Sequence, residues 1–312
     1  MNTDLEKQAI ERLKMFAPKD GSAYYLCYSG GKDSDCIRIL AELSGVPYEI
    51  HHNLTTVDAP ETIQYIKSIP GVIIEKARYA DGTPKTMWNL MPKKLMLPTR
   101  LVRWCCTQLK EWGGKGRLRI TGVRWAESLN RKKNQAMLTL RGKPKTMQRM
   151  LEEAGLNYQI SSHGGILLGM DNETVRDAGD FVQSCFRTVT TTVNPIVDWS
   201  DTDVWEFLHH YGCDGNPLYK CGRGRIGCIG CPMAMRKKRI QDFRLYPKYY
   251  ASYIRAFEKM LKQRREQCKP CRNWADGEAV MRWWLNDGNI DLDGQTTLFD
   301  ENDLYEIMSD NE

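Results

Sequence analysis

The chain has 312 residues, 41% of them hydrophobic, and a formal net charge of +6, enough for one large α/β domain or one domain with an appendage. Mean hydropathy is −0.54, and no stretch approaches the apolar length of a membrane span, so a soluble, cytoplasmic protein without a membrane partner is expected. Eleven cysteines in a chain without an export signal point to metal binding or thiol chemistry before disulfides.

Residues 1–20 mix Asp4, Glu6, Lys7, Glu11, Arg12 and Lys14 with apolar positions, which predicts an amphipathic surface helix and not a signal peptide. The apolar run 23–28 predicts a strand that ends in Ser29-Gly30-Gly31-Lys32-Asp33-Ser34. The two glycines let the backbone turn tightly and approach a phosphate with successive N–H groups. Ser29 and Ser34 add hydroxyls, Lys32 adds a charge, and Asp33 is a candidate to hold a magnesium ion that travels with the phosphates. Cys36, Ile37, Ile39, Leu40 and Leu43 then repeat at helical spacing, so the whole reads as an anion-binding strand–loop–helix. It is not the Walker pattern, which places four residues between its glycines before Lys-Ser/Thr.

Short β-branched or aromatic runs follow at 46–52, 71–77, 118–123 and 188–193, separated by helical patterns such as 34–44 and 60–68. Pro60 opens the second of these helices, with Asp58 placed to cap it. The alternation predicts a doubly wound parallel sheet with the ligand beyond the carboxyl ends of its strands. Residues 129–180 are less regular and more basic, and read as an insertion at the mouth of the site with a helix near 146–154. A long helical pattern covers 240–268, a short one 278–285 carries Trp283 and Trp284, and the tail after Asp287 is acidic and expected to be loose. The division is thus an N-terminal helix 1–20, a nucleotide-binding domain 21–235 and a C-terminal helical region 236–312.

Cys105-Cys106 lies near the middle, and Cys221-x6-Cys228-x2-Cys231 comes later. The Cys-x-x-Cys turn presents two thiolates, Cys221 can supply a third, and Cys106 or Cys105 a fourth. Four thiolates suit a [4Fe–4S] cluster or a tetrahedral zinc ion. A rival grouping pairs Cys228 and Cys231 with Cys268 and Cys271, and Cys268-Lys269-Pro270-Cys271 also reads as a redox dithiol. Basic residues concentrate in Arg131–Arg149 and Arg223–Arg239, as solvated faces or as contacts for a polyanion such as a nucleic acid.

Taken together, these segments resemble the phosphoadenosine phosphosulfate (PAPS) reductase family of the PP-loop superfamily. The resemblance rests on Ser29–Ser34, Asp58-Ala59-Pro60-Glu61-Thr62, Arg103-Trp104-Cys105-Cys106-Thr107 with Lys110, and Thr121-Gly122-Val123-Arg124-Trp125-Ala126-Glu127-Ser128. It continues in Asn194-Pro195-Ile196-Val197-Asp198-Trp199, Asp203-Val204-Trp205, Asn216-Pro217-Leu218-Tyr219 and Arg225-Ile226-Gly227-Cys228-Ile229-Gly230-Cys231-Pro232. It implies an adenine nucleotide with its phosphates at the loop, Arg124 as an anion contact, and Glu127 and Ser128 closing that side. Members with an iron–sulfur cluster use a Cys-Cys pair plus Cys-x-x-Cys. The arrangement of one early and three late cysteines is similar to the sulfurtransferase of bacterial DNA phosphorothioation. The Glu-Cys-Gly-Leu-His motif of sulfonucleotide reductases does not occur in this sequence.

Two classes of function follow. One is an iron–sulfur enzyme of sulfur metabolism that takes PAPS or adenylyl sulfate and a thiol or iron–sulfur electron donor, or uses ATP to thiolate a nucleic acid. The missing motif favours the second version, while the family pattern keeps the first open. The other class is a non-catalytic, zinc-stabilised module that binds nucleotide or nucleic acid.

Overall fold

The computed structural model describes residues 3–142, 144–162, 164–169, 178–179, 181–183, 186–272 and 274–286. Cys185, Lys143, the end of the expected insertion and the acidic segment after residue 286 lie outside the described residues. The chain forms two compact units. The first comprises Met1–Asn53, Pro60–Glu75 and Gly113–Ile226; the second comprises Leu54–Ala59, Lys76–Trp112 and Gly227–Glu312. Residues 76–112, which the linear division places in the nucleotide-binding domain, therefore belong with the C-terminal helices.

The first unit is built on an eight-stranded sheet: β1 Tyr24–Cys27, β2 Tyr48–Asn53, β3 Val72–Glu75, β4 Arg119–Ile120, β5 Leu138–Arg141, β6 Gln159–Ile160, β7 Ile166–Leu168 and β8 Thr190–Val193, in the order β3-β2-β1-β4-β8-β5-β7-β6. The five strands expected from sequence are β1, β2, β3, β4 and β8, and all pair in parallel. Leu26 lies opposite Ile50 on one side and Ile120 on the other, so the centre of the sheet is apolar on both edges of β1. The chain runs outward from β1 through β2 to β3 and then returns to β4 on β1's other side. That reversal is the position where open α/β sheets place their ligands. The loop Ser29–Gly31 leaves β1 there, and Thr121–Arg124 leaves β4.

The insertion differs from its expectation. It contains the anticipated helix, at Pro144–Glu153, but β5, β6 and β7 continue the sheet past β8 as antiparallel strands. At two to four residues each, these strands are too short for period-two alternation to stand out in a Gly- and Lys-rich stretch.

The helix after the loop Ser29–Gly31 runs Lys32–Ser44, beginning two residues before the expected start, and ends at Gly45 in the left-handed region (φ 69°). Its buried stripe Cys36, Ile37, Leu40 and Ala41 faces the core shared with Leu26, Ile120, Val193 and Phe207. Asp33 and Asp35 occupy its first turn, where the positive end of the helix favours them. Asp35 is fully buried, and burial lifts its carboxyl to about 6 although Tyr28 donates to Oδ1 at 2.5 Å.

The second unit is helical, with Met87–Lys94, Arg236–Leu245, Pro247–Glu266 and Gly277–Leu285. The single helical stretch expected over 240–268 is two helices. Pro247 has no N–H to donate and disfavours helical geometry at Tyr246 (φ −130°, ψ 66°), so the chain breaks there and restarts with Pro at the first turn. The core of this unit is aromatic: Tyr253, Phe243, Phe257 and Trp284 meet with ring centroids 5.0–6.4 Å apart. The buried Arg239 lies 4.3 Å over the Trp284 ring and donates to its carbonyl at 3.0 Å. Among the described residues, no helix is long and apolar enough to cross a membrane.

Candidate functional site

The loop Ser29–Gly31 is held from three sides within the first unit. Gly30 sits at φ 70°, and a side chain there would run into Ile66. The Gly30 carbonyl accepts from Asn216 Nδ2 (3.0 Å), and the Lys32 amide donates to the Tyr219 hydroxyl (2.9 Å). Ser34 Oγ accepts from the Gly31 amide (3.1 Å) and donates to the Gly31 carbonyl (2.7 Å), with Ser29 Oγ 3.3 Å away. From the neighbouring strand, Gly122 closes the contact: a Cβ there would stand 2.6 Å from the Asp33 carbonyl, so only glycine lets β4 exit against the loop.

Four charges meet at this point. Arg124, 1% exposed, donates Nε to Asp33 Oδ1 (2.7 Å), Nη2 to Asp201 Oδ1 (2.6 Å) and Nη1 to the Trp199 carbonyl (3.2 Å). Lys32 Nζ donates to Asp201 Oδ1 (2.8 Å) and lies 3.3 Å from Asp33 Oδ1. Hydrogen bonds from Lys32 and then Arg124 hold the Asp201 carboxyl below its usual range. The guanidinium thus meets the loop through carboxylates and orients Asp33; the family resemblance implied an anion contact for Arg124.

Glu127 and Ser128 have local duties. Glu127 Oε1 accepts from the Arg124 amide (3.3 Å) and pairs with Arg131 (3.0 Å), while its other oxygen lies 3.7 Å from Arg225. The Ser128 hydroxyl caps the helix Leu129–Asn134 by accepting from the Arg131 amide (3.2 Å). Asp58 belongs to the second unit, where it accepts from the Thr55 amide (2.8 Å). Sequence reasoning missed Asp201. Its signal was available: Ser200-x-x-Asp203 forms a capping box, and Asp201 follows as the first helical residue, at a helix start next to the family-like Asp198-Trp199.

Cys105, Cys106, Cys228 and Cys231 all belong to the second unit, whereas Cys221 lies exposed in the first. The Cys228–Cys231 turn is fixed by its own backbone. The Ile229 amide donates to the Val57 carbonyl (2.8 Å), the Tyr253 hydroxyl donates to the Ile229 carbonyl (3.1 Å), and Gly230 (φ 67°) packs where a Cβ would meet Phe243 at 2.5 Å. Cys106 opens a π-helical turn, Cys106–Lys110, of the kind frequent at functional sites. The four sulfurs act on one another electrostatically. Cys105 donates to Cys106 and also faces Cys228 and Cys231, which together with burial keeps it protonated. That same bond, with Arg103 donating Nη2 to Cys106 Sγ at 3.2 Å, brings the Cys106 thiol down to about 6. Burial and the Asp58 charge push Cys228 up to about 12.

Four such thiols fit the donor chemistry of an iron–sulfur cluster. Among the described residues, no three His, Cys, Asp or Glu side chains are arranged to hold a single ion. A cluster asks for something else, since each of its ligands binds a different iron. Cys268 and Cys271 sit past the helix Pro247–Glu266, with Cys268 exposed at φ 51°. In metal-free protein, alkylation of Cys106 by iodoacetamide is expected to rise through pH 6 and level off by about pH 8, as its thiolate fraction saturates. Arg103→Ala moves that midpoint upward. Peptide mass spectrometry reads both, and a wild-type midpoint between about 8 and 9 would contradict the assignment.

The family model described as "Phosphoadenosine phosphosulfate reductase domain" matches residues 23–234, and the chain belongs to that family. An uncharacterized protein of Methanocaldococcus jannaschii is 25% identical over 260 residues, covering 80% of this chain and 52% of that protein. An adenosine 5'-phosphosulfate reductase of Allochromatium vinosum is 42% identical over 43 residues, 14% of this chain and 17% of that protein. A phosphoadenosine 5'-phosphosulfate reductase of Xylella fastidiosa is 27% identical over 191 residues, 61% of this chain and 70% of that protein. The chain spans about half the length of the M. jannaschii relative and a smaller part of the A. vinosum one.

Proposed function

We propose that the chain is an enzyme of sulfur metabolism that binds adenylyl sulfate or PAPS at Ser29–Ser34 and holds a [4Fe–4S] cluster on Cys105, Cys106, Cys228 and Cys231. The observation that carries the nucleotide reading is the charge group at the strand reversal, where Lys32 and Arg124 share Asp33 and Asp201 at the start of a helix. The Asp201 side chain is 72% exposed, so a phosphate oxygen replaces it beside Lys32 with little desolvation cost. Arg124 stays enclosed and keeps Asp33 aimed at the loop, where a magnesium ion accompanying the phosphates would be held.

In this reading a partner thiol takes the sulfonate: an S–S bond forms, the S–O bond to the nucleotide breaks, and the nucleotide leaves with its phosphate in the loop. A second thiol then releases sulfite and leaves a disulfide. Lys32 and the helix N-terminus offset the charge that develops on the departing phosphate. A bound cluster would supply one-electron redox capacity. Arg103 at Cys106 and the Lys110 charge near Cys228 stabilise the thiolates that would hold it.

The test is sulfite release from adenylyl sulfate and from PAPS by anaerobically purified protein, with dithiothreitol as thiol. Release from one of them is expected, falling about a hundredfold in Asp33→Ala, as loss of one electrostatic element at a reacting charge does. No release from either by protein carrying its full complement of iron and sulfide would sink the reading.

One observation favours a second reading, ATP-dependent thiolation of a nucleic acid. Glu127 gathers Arg131 and Arg225, distant in sequence, beside Arg124, which gives the first unit a basic rim suited to a phosphodiester backbone. Its signature is pyrophosphate release from ATP only when nucleic acid is present.

A further inference from the structure

The turn Pro217–Tyr219 is fastened to the loop Ser29–Gly31 within the first unit. Fully buried Asn216 caps the turn by accepting from the Leu218 amide (3.0 Å) and spends Nδ2 on the Gly30 carbonyl (3.0 Å) and Thr62 Oγ1 (3.2 Å). The half-buried Tyr219 ring meets Trp205 edge-on, with centroids 5.0 Å apart. Its hydroxyl is thereby placed at the first amide of the helix Lys32–Ser44, where it accepts the Lys32 N–H at 2.9 Å. That amide is one of the donors a helix start leaves without an intrahelical partner, and one that an arriving phosphate oxygen would meet.

The hydrogen of this hydroxyl is unspent. Because the oxygen accepts from Lys32, the hydrogen points elsewhere, and among the described residues no carbonyl or side chain accepts it. Burial pushes the phenol's pKa up against the Lys32 amide, the Asp33 and Asp35 charges push it further, and Arg225 is the cation that faces it. The group is therefore a neutral donor at pH 7. Gly31 leaves room beside it: a Cβ there would stand 3.3 Å from the Tyr219 hydroxyl and 3.6 Å from Ser29 Oγ. Ser29 Oγ in turn lies 3.3 Å from Ser34 Oγ. Hydroxyls from Ser29, Ser34 and Tyr219 thus gather around one glycine at a helix start, a polar cradle of the size of a tetrahedral oxyanion.

Given a nucleotide at Ser29–Ser34, as proposed above, we infer that Tyr219 is a phosphate-binding residue. Its hydroxyl keeps the Lys32 amide aimed into the loop and donates its hydrogen to an oxygen of the nucleotide's 5′-phosphate. Lys32 brings the charge, and Tyr219 adds a directed donor that does not disturb the pairing of Lys32 with Asp201.

The test is equilibrium binding of AMP to the full chain and to two variants. Tyr219→Phe keeps the ring and its contact with Trp205, so the fold should persist, as circular dichroism verifies. Its affinity for AMP is expected to fall at least about tenfold, as loss of a hydrogen bond to a charged group does. Tyr219→2,3,5,6-tetrafluorotyrosine keeps the hydroxyl in place but makes the phenol far more acidic. Relative to wild type at the same pH, this variant should bind AMP normally at about pH 7 and at least about fivefold more weakly at about pH 9.5, where a phenolate replaces the donor. A residue that only braced the loop would behave differently, because a phenolate accepts the Lys32 N–H at least as well as a phenol. Affinity of Tyr219→Phe within about twofold of wild type, or tighter, overturns the inference, as does a fluorinated variant that tracks wild type across the pH range; both leave the nucleotide reading standing. Wild-type protein that binds neither AMP nor adenylyl sulfate overturns both together.

Discussion

Arg124→Ala is expected to cost about 3 kcal/mol of stability and to lower affinity for adenine nucleotides about a hundredfold. The side chain is 1% exposed and spends its donors on Asp33, Asp201 and the Trp199 carbonyl. Removing one partner of a buried ion pair strands the other, at about 3–5 kcal/mol. Asp33 and Asp201 keep some access to water, with side chains 25% and 72% exposed, which places the loss at the lower end. Lys32 would then face two carboxylates alone, and Asp33 would no longer be oriented at the loop. Arg124→Lys retains the charge but not the planar fork that spans both carboxylates, so it should recover less than half of the lost affinity. Urea midpoints and equilibrium binding of ATP and adenylyl sulfate measure the two effects. A variant with a wild-type midpoint and wild-type affinity would mean that the four-charge group organises nothing.

The features that sequence made legible are those with a local cause. The helix Lys32–Ser44 follows a glycine turn and carries its own apolar stripe, and Pro60 starts the helix Pro60–Ser68 where its fixed φ suits a first turn. The five parallel strands are bounded by turn residues. What stayed hidden depends on partners far along the chain. β5 and β7 owe their place to pairing with β8 and with each other, and nothing local in Leu138–Arg141 announces that. The resemblance names Arg124 as an anion contact but not its carboxylate partners, since Asp33 and Asp201 lie 91 and 77 positions away. Spacing groups Cys221 with Cys228, seven positions on, but the compact units separate at Ile226 and Gly227, between them.

That separation makes the ligand set testable by iron alone. Cys105→Ser, Cys106→Ser, Cys228→Ser and Cys231→Ser are each expected to drop iron from about four per chain, the content of one [4Fe–4S] cluster, to below about one. Cys221→Ser should leave it unchanged. Serine keeps the shape of cysteine but remains protonated where a thiolate is required, so loss of iron reports a lost ligand and not a lost turn. Circular dichroism guards against the alternative that a variant's second unit has unfolded. The turn Cys228–Cys231 is fastened independently through Val57, Tyr253 and Gly230, so its helices should persist. Full iron in Cys105→Ser together with loss in Cys221→Ser would return the site to the ligand set suggested by spacing, Cys106, Cys221, Cys228 and Cys231. One zinc per chain and no acid-labile sulfide in the wild-type protein would make the four cysteines a structural site and leave the phosphate loop to carry the chemistry.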